Sequence, residues 1–201
     1  MTGRFVVLEG GDGSGKSTQR DRLASWLGEQ GVEVVSTLEP GGTGLGIELR
    51  RVLLDGDHLD PRAEALLMAA DRAQHVAEVI RPALARDAWV VSDRYVPSSL
   101  VYQGVVRGLG VDAIAELSVF ATDGLVPDLV VLLDVDDETA ESRRSPGADR
   151  MEREGVTFHA AVRQAYRDLA DRFGWQVVDG GGAPEAVAER VGHAVRPLLT
   201  A

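Results

Sequence analysis

Cysteine is absent from this 201-residue sequence, which excludes disulfides and thiolate metal sites and leaves four histidines as metal-binding candidates. Long hydrophobic runs are absent as well: no stretch approaches the ~20 apolar residues that a membrane span requires. The opening Met1-Thr2-Gly3-Arg4 leads into a short apolar run that Glu9 interrupts, unlike a signal peptide. A cytoplasmic protein with no membrane partner is the expectation. Positive charge is scarce too, with 21 Lys plus Arg against 32 Asp plus Glu and a net charge of −11. Nucleic-acid surfaces are usually basic, so no nucleic-acid partner is expected. A phosphate-bearing ligand would need a local pocket of cations working against the overall field. Scarcest of all is lysine: Lys16 is the only one. Coding bias explains the abundant arginines. It does not explain why one position kept lysine.

The remaining composition, 44% hydrophobic and 26% charged, is that of an ordinary globular chain, and the length suits one α/β domain. Apolar runs at 4–9, 32–38, 89–93, 129–134 and 175–179 read as five short strands. Helical patterns follow Gly15 up to Gly31 and fill about 61–86, 112–120, 158–173 and 184–199, with Pro82 marking a kink or break. On the 61–86 helix, Leu66, Leu67 and Ala70 look suited to the core. Strands alternating with helices predict a parallel sheet covered on both faces. No repeat, low-complexity tract or linker divides the chain.

Gly10-Gly11-Asp12-Gly13-Ser14-Gly15-Lys16-Ser17 matches G-x-x-x-x-G-K-[ST] in full, between a strand and a helix. Glycines let backbone N–H groups turn inward around a phosphate, and the following helix aims its positive end there. Lys16 can reach the β- and γ-phosphates, and the Ser17 hydroxyl is the usual Mg²⁺ ligand. Ser17 and Thr18 also suit a helix start. Asp12 is either a solvated turn residue or a carboxylate facing the acceptor or metal. The motif implies a nucleoside triphosphate; without a second lysine, the Asn-Lys-x-Asp base-reading motif of GTPases is impossible.

Beyond this loop, Leu38-Glu-Pro-Gly-Gly-Thr43, Ala69-Ala-Asp-Arg-Ala-Gln-His75, Asp93-Arg-Tyr95, Ser98-Ser-Leu-Val-Tyr-Gln-Gly104, Arg107-Gly-Leu109 and Pro127-Asp128 resemble the thymidylate kinases in order and spacing, over about residues 5–170. The resemblance implies a P-loop three-layer fold: a five-stranded parallel sheet, helices on both faces and a short lid at about 143–154. It also implies a homodimer, and transfer of the ATP γ-phosphoryl group to dTMP with Mg²⁺. Asp93-Arg94 ends a strand, where a parallel sheet places ligands; Arg94 suits the acceptor phosphate and Asp93 the Mg²⁺ water shell. By resemblance Glu39 belongs to the acceptor site, Arg72 hydrogen-bonds the thymine carbonyl and Met68 lies against the base. Ser99, Tyr102 and Gln103 share a helical face. Ser99 suits the base edge and Tyr102 is placed to block a ribose 2′-hydroxyl, or else is plain core. Arg50 matches the arginine for the acceptor phosphate, with Arg51 as its rival.

The resemblance further implies that a transition-state arginine sits either in the P-loop or in the lid. Gly13 and Ser14 leave none in the loop. Arg150 is the first choice in the lid, ahead of Arg144 and Arg153. Three residues depart from the family pattern: Leu38 where arginine is common, Met68 where phenylalanine stacks on thymine, and Pro97 where a smaller or polar residue is commoner.

Overall fold

The computed structural model describes residues 2–55, 58–143, 150 and 154–200. Its five strands are those expected: β1 (Phe5–Glu9), β2 (Val34–Leu38), β3 (Trp89–Asp93), β4 (Leu129–Asp134) and β5 (Gln176–Asp179). They form one sheet in the order β2-β3-β1-β4-β5, every pairing parallel. Side chains alternate across the sheet as the two-residue period demands. Val6 and Leu8 pack in a core with Leu23, Leu27, Val187 and Val191, whereas Phe5 and Val7 pack with Val76, Ile80 and Tyr95. Helices α1 (Lys16–Glu29) and α9 (Pro184–Leu199) therefore cover one face. The other face is covered chiefly by α3 (Pro61–His75) with its continuation, and by α8 (Val156–Phe173). Val6 and Leu8 are fully buried, and β1 is central with β3 and β4 on either side. The P-loop thus leaves the middle of the carboxyl edge, where open α/β sheets bind ligands.

Two helices, α2 (Gly44–Leu54) and the short Asp137–Ser142, were not legible in the sequence. α2 starts immediately after the Gly-Gly-Thr turn, capped by Thr43, whose Oγ1 accepts from the Gly46 N–H at 2.9 Å. Glycines at 44 and 46 lower helix propensity and hid it. Pro82 does not break its helix. α3 passes into a π-helical stretch at Val76–Ile80 and then α4 (Arg81–Ala85). The wider turn accommodates a ring that would clash with the carbonyl four residues back. A second π-helical stretch, Leu100–Val106, follows the short α5 (Val96–Ser99) and leads into α6 (Val111–Thr122).

The buried face of α3 also differs from expectation. Leu66 is 58% exposed and Ala70 is exposed, whereas Glu64, Asp71, Arg72 and His75 are buried. Apolar residues were expected to mark the inner face. Here polar side chains share it with Ala65 and Ala69, because they face one another and a cleft, while Leu67 packs against the core as expected.

Candidate active site

Gly13 shows why the P-loop needs its glycines. Its φ is 81°, and a Cβ there would lie 2.2 Å from the carbonyl oxygen of Ala140 in α7 (Asp137–Ser142). The loop is pressed against that helix while wrapping the start of α1. Lys16, only 7% exposed, donates from Nζ to the carbonyls of Gly10 and Gly11, both at 2.9 Å. Burial, then the charge of Arg94, lowers its pKa; Asp93, Asp12 and Glu9 oppose that shift. Ser17 Oγ donates to Asp93 Oδ2 at 2.6 Å, so the end of β3 meets the first turn of α1.

Arg94 adopts a left-handed backbone (φ 74°), uncommon for a residue with a side chain. Its N–H bonds Leu8 O, and the guanidinium reaches Asp12 Oδ1 at 2.5 Å, Ser98 Oγ at 3.1 Å and the Tyr166 hydroxyl at 3.2 Å. Burial opposes its charge, but Tyr102, Tyr166, Asp12 and Glu9 outweigh it and hold Arg94 well above its ordinary value. Beneath lies Glu9, fully buried at the end of β1. Glu9 Oε1 accepts from the N–H groups of Tyr95 and Ser98, and Oε2 from the hydroxyls of Ser98 and Tyr166. Four donors on one carboxylate fasten the P-loop strand to the segment after β3. Burial is the largest influence and raises the Glu9 pKa; Arg94, the Ser98 and Tyr166 hydroxyls and the Tyr95 N–H resist.

Arg72 is 2% exposed. Nε donates to Glu39 Oε2 at 2.8 Å, and Nη2 donates to Tyr95 O at 3.0 Å and Ser99 Oγ at 3.1 Å. It is a buried, oriented cation and not a solvated helix arginine. Of the adjacent pair, Arg50 donates to Pro40 O at 2.8 Å, whereas Arg51 pairs with Glu48 and is exposed. Gln103 donates to the buried Glu64 at 2.7 Å.

These residues converge. Asp12, Gly13, Gly15, Lys16, Ser17, Thr18, Glu39, Arg50, Met68, Arg72, Asp93, Arg94, Ser99, Tyr102 and Gln103 line a single cleft of about 310 Å³. Gly10, Gly11 and Ser14 complete the loop behind it, with the Ser14 N–H bonded to Gly11 O. The cleft is cationic at its loop end and mixed at the Met68 end, so it can hold a molecule with phosphate at one end and a flat polar group at the other. Sequence reasoning missed Leu38, Pro40, Leu54, Tyr95 and Ser98 in its wall, and Glu9, Tyr166, Thr37 and His75 behind it. Leu54 was missed together with α2. Leu38, Pro40, Tyr95, Ser98 and His75 lie inside the quoted motifs but were given no role there; Glu9, Thr37 and Tyr166 lie outside them, and being buried with a polar group is what marks them.

The lid arginines stand apart. Arg150 is not among the cleft-lining residues: its N–H and Nε donate to Leu54 O and Leu53 O at 2.8 and 2.9 Å, and Nη2 to Glu64 Oε2 at 2.6 Å. Arg144 and Arg153 lie outside the described residues. Arg143 donates to Gly180 O and Gly182 O, and its Nη1 would lie 3.9 Å from a Cβ on Gly15, at the outer side of the loop.

Ser17 and Asp93 supply the hard oxygen ligands that suit Mg²⁺, an ion usually held by one or two carboxylates together with substrate phosphates. Among the described residues no cluster of three or more His, Asp or Glu is placed to hold a metal without a substrate.

Comparison with known proteins is consistent along the whole length. A family model described as thymidylate kinase matches residues 8–191. A thymidylate kinase of Clavibacter sepedonicus is 50% identical, covering 100% of this chain and 98% of that protein. Those of Synechococcus sp. (strain RCC307) and Halothermothrix orenii are 48% and 45% identical, each over 99% of this chain. With a P-loop, a five-stranded parallel sheet and this similarity, the chain belongs to the thymidylate kinase family, whose members are nucleoside monophosphate kinases.

Proposed function

We propose that the protein transfers the γ-phosphoryl group of ATP to dTMP, yielding dTDP and ADP. The observation that carries this reading is one cleft holding Lys16, Arg50 and Arg94 beside the P-loop and Met68, Arg72, Ser99 and Tyr102 at its other end. An acceptor phosphate oxygen attacks the γ-phosphorus, and the bond from that phosphorus to the β–γ bridging oxygen breaks. The attacking oxygen is already ionised near neutral pH, so no general base is needed; positioning and charge stabilisation carry the catalysis. The P-loop amides and Lys16 hold the ATP β- and γ-phosphates. Arg94 and Arg50 bind and align the acceptor phosphate, with Asp12 orienting Arg94. Ser17 and Asp93 are the residues that would hold Mg²⁺, which when bound would offset the negative charge of the two polyanions. Arg72 and Ser99 meet the base edge, Met68 lies on its face, Gln103 lines the same end, and Tyr102 stands where a ribose 2′-hydroxyl would fall.

An arginine of the lid (about 143–154) neutralises the transferring phosphoryl group; Arg150 is assigned first, with Arg144 next, and Arg150 must leave Glu64 to act. The lid forms part of one kinase domain spanning the chain. A homodimer is supported by the large apolar side chains left exposed on the packed pair α3 and α6: Leu66, Val119 and Phe120, the last 87% exposed. The absence of any helix long and apolar enough to cross a membrane, among the described residues, fits a cytoplasmic setting.

The test is ADP release with ATP, Mg²⁺ and a panel of dTMP, dUMP, dCMP, dGMP, AMP and thymidine. Turnover highest with dTMP is expected. A better acceptor elsewhere in the panel overturns the roles of Met68, Arg72 and Ser99.

A further inference from the structure

His75 does not line the cleft and is 0% exposed, yet it sits in a continuous buried chain that ends there. Thr37 Oγ1 lies 2.6 Å from His75 Nε2, and His75 Nδ1 lies 2.8 Å from Glu39 Oε1. Glu39 Oε2 takes Arg72 Nε at 2.8 Å. An ionised carboxylate can only accept, so Nδ1 carries the proton and donates it to Glu39. Both oxygens of Glu39 are then engaged, one by His75 and one by Arg72. Nη2 of Arg72 is also occupied, by Tyr95 O and Ser99 Oγ. Among the described residues, no hydrogen bond engages Arg72 Nη1, which leaves it for a ligand in the cleft that Arg72 lines.

The loop ahead of α2 is shaped to this ring. A Cβ on Gly42 would lie 2.7 Å from His75 Cδ2, 2.8 Å from Nε2 and 2.9 Å from Leu38 O. Gly42 therefore lets the Glu-Pro-Gly-Gly-Thr turn close directly over the imidazole. Thr37 at 5%, Glu39 at 4% and Arg72 at 2% exposure are largely withdrawn from solvent, and an unpaired buried carboxylate oxygen is costly.

We propose that His75 is a positioning residue for base selection: acting through Glu39, it fixes the plane of the Arg72 guanidinium so that Nη1 demands a hydrogen-bond acceptor on the base. A guanidinium has donors only. A fixed one donates to the 4-keto oxygen of thymine or uracil and finds no acceptor in the 4-amino group of cytosine. A guanidinium free to swing would discriminate less. The inference rests on Arg72 as the base-contacting residue.

The test compares wild type, His75→Asn, His75→Gln and Thr37→Val, measuring kcat and KM with dTMP and dCMP, alongside Tm. Asparagine can place an amide N–H near the Nδ1 position; glutamine cannot reach Glu39 that way. His75→Gln is expected to raise KM for dTMP about tenfold, the scale of a lost hydrogen bond to a charged group. Its kcat should stay within about twofold, and its preference for dTMP over dCMP should narrow. His75→Asn should restore most of both, and Thr37→Val should fall between. A His75→Gln enzyme with lower Tm but unchanged KM and selectivity makes His75 merely structural and overturns the proposal. So does an equal fall in kcat with both acceptors. Wild type inactive with dTMP overturns the parent reading instead.

Discussion

Arg150 donates to the carboxylate of Glu64 at 2.6 Å, and Glu64, with no exposed surface, also accepts from Gln103 in the cleft wall. Arg150 and the Gln103 wall of the cleft therefore share one buried anion. If Arg150 also serves the transferring phosphoryl group, Arg150→Ala should lower kcat by ~10²-fold or more. Glu64→Gln, which weakens both the docked position of Arg150 and the anchoring of Gln103, should leave kcat nearly intact while raising KM for dTMP. Steady-state kinetics with both substrates varied decides it. Wild-type kcat in Arg150→Ala assigns the residue to anchoring alone.

Met68 is half-buried and lines the cleft, packed against the core around Leu100, Tyr102 and Tyr166. A flexible thioether adapts to a base face where an aromatic ring would stack rigidly. Met68→Phe is expected to raise the ratio of kcat/KM for dTMP over dUMP by a few-fold, since one methyl group in an apolar pocket is worth about 1–3 kcal/mol at most. An unchanged ratio removes Met68 as a determinant of that selectivity.

Asp71 makes the fold pH-sensitive. Burial first, then the charge of Glu39, pushes its carboxyl up to about 6, while the Gly41 N–H, His75 and Arg72 pull the other way. The folded value lies above the unfolded one near 3.8, so the fold favours the neutral acid. That contribution is complete below about pH 4 and is lost as pH rises through about 6. Asp71→Asn, neutral throughout, should gain on the order of 1–3 kcal/mol relative to wild type at pH 7.5 and little near pH 4.5. Thermal melts at both pH values check this; an equal shift at both rules out the titration of Asp71 as the cause.

The five strands were legible because each is a short apolar run bounded by turn residues, and the P-loop because its glycines and Lys16 fall at fixed spacing. Asp12 was legible from the P-loop motif, Glu39, Arg72, Arg94, Ser99 and Tyr102 because each lies within a local motif of the resemblance, and Met68 as a departure beside one. α2 was not, because Gly44 and Gly46 break the helical pattern that its cap at Thr43 restores. The inner face of α3 was misread at Leu66 and Ala70, because burial there follows charge pairing and not hydrophobicity.

Taken alone, the sequence determined where the P-loop lies and which strands exist, because those properties rest on local spacing, and the alternation of strands with helices implied that the strands run parallel. Only the tertiary structure decided that Arg50, not Arg51, faces the cleft, that Glu9 fastens Ser98 and Tyr166 beneath Arg94, and that Glu39 joins His75 to Arg72. Glu9 and Tyr166 are 157 residues apart. Strand order brings such pairs together, and local spacing carries no trace of which distant partner a buried charge will meet.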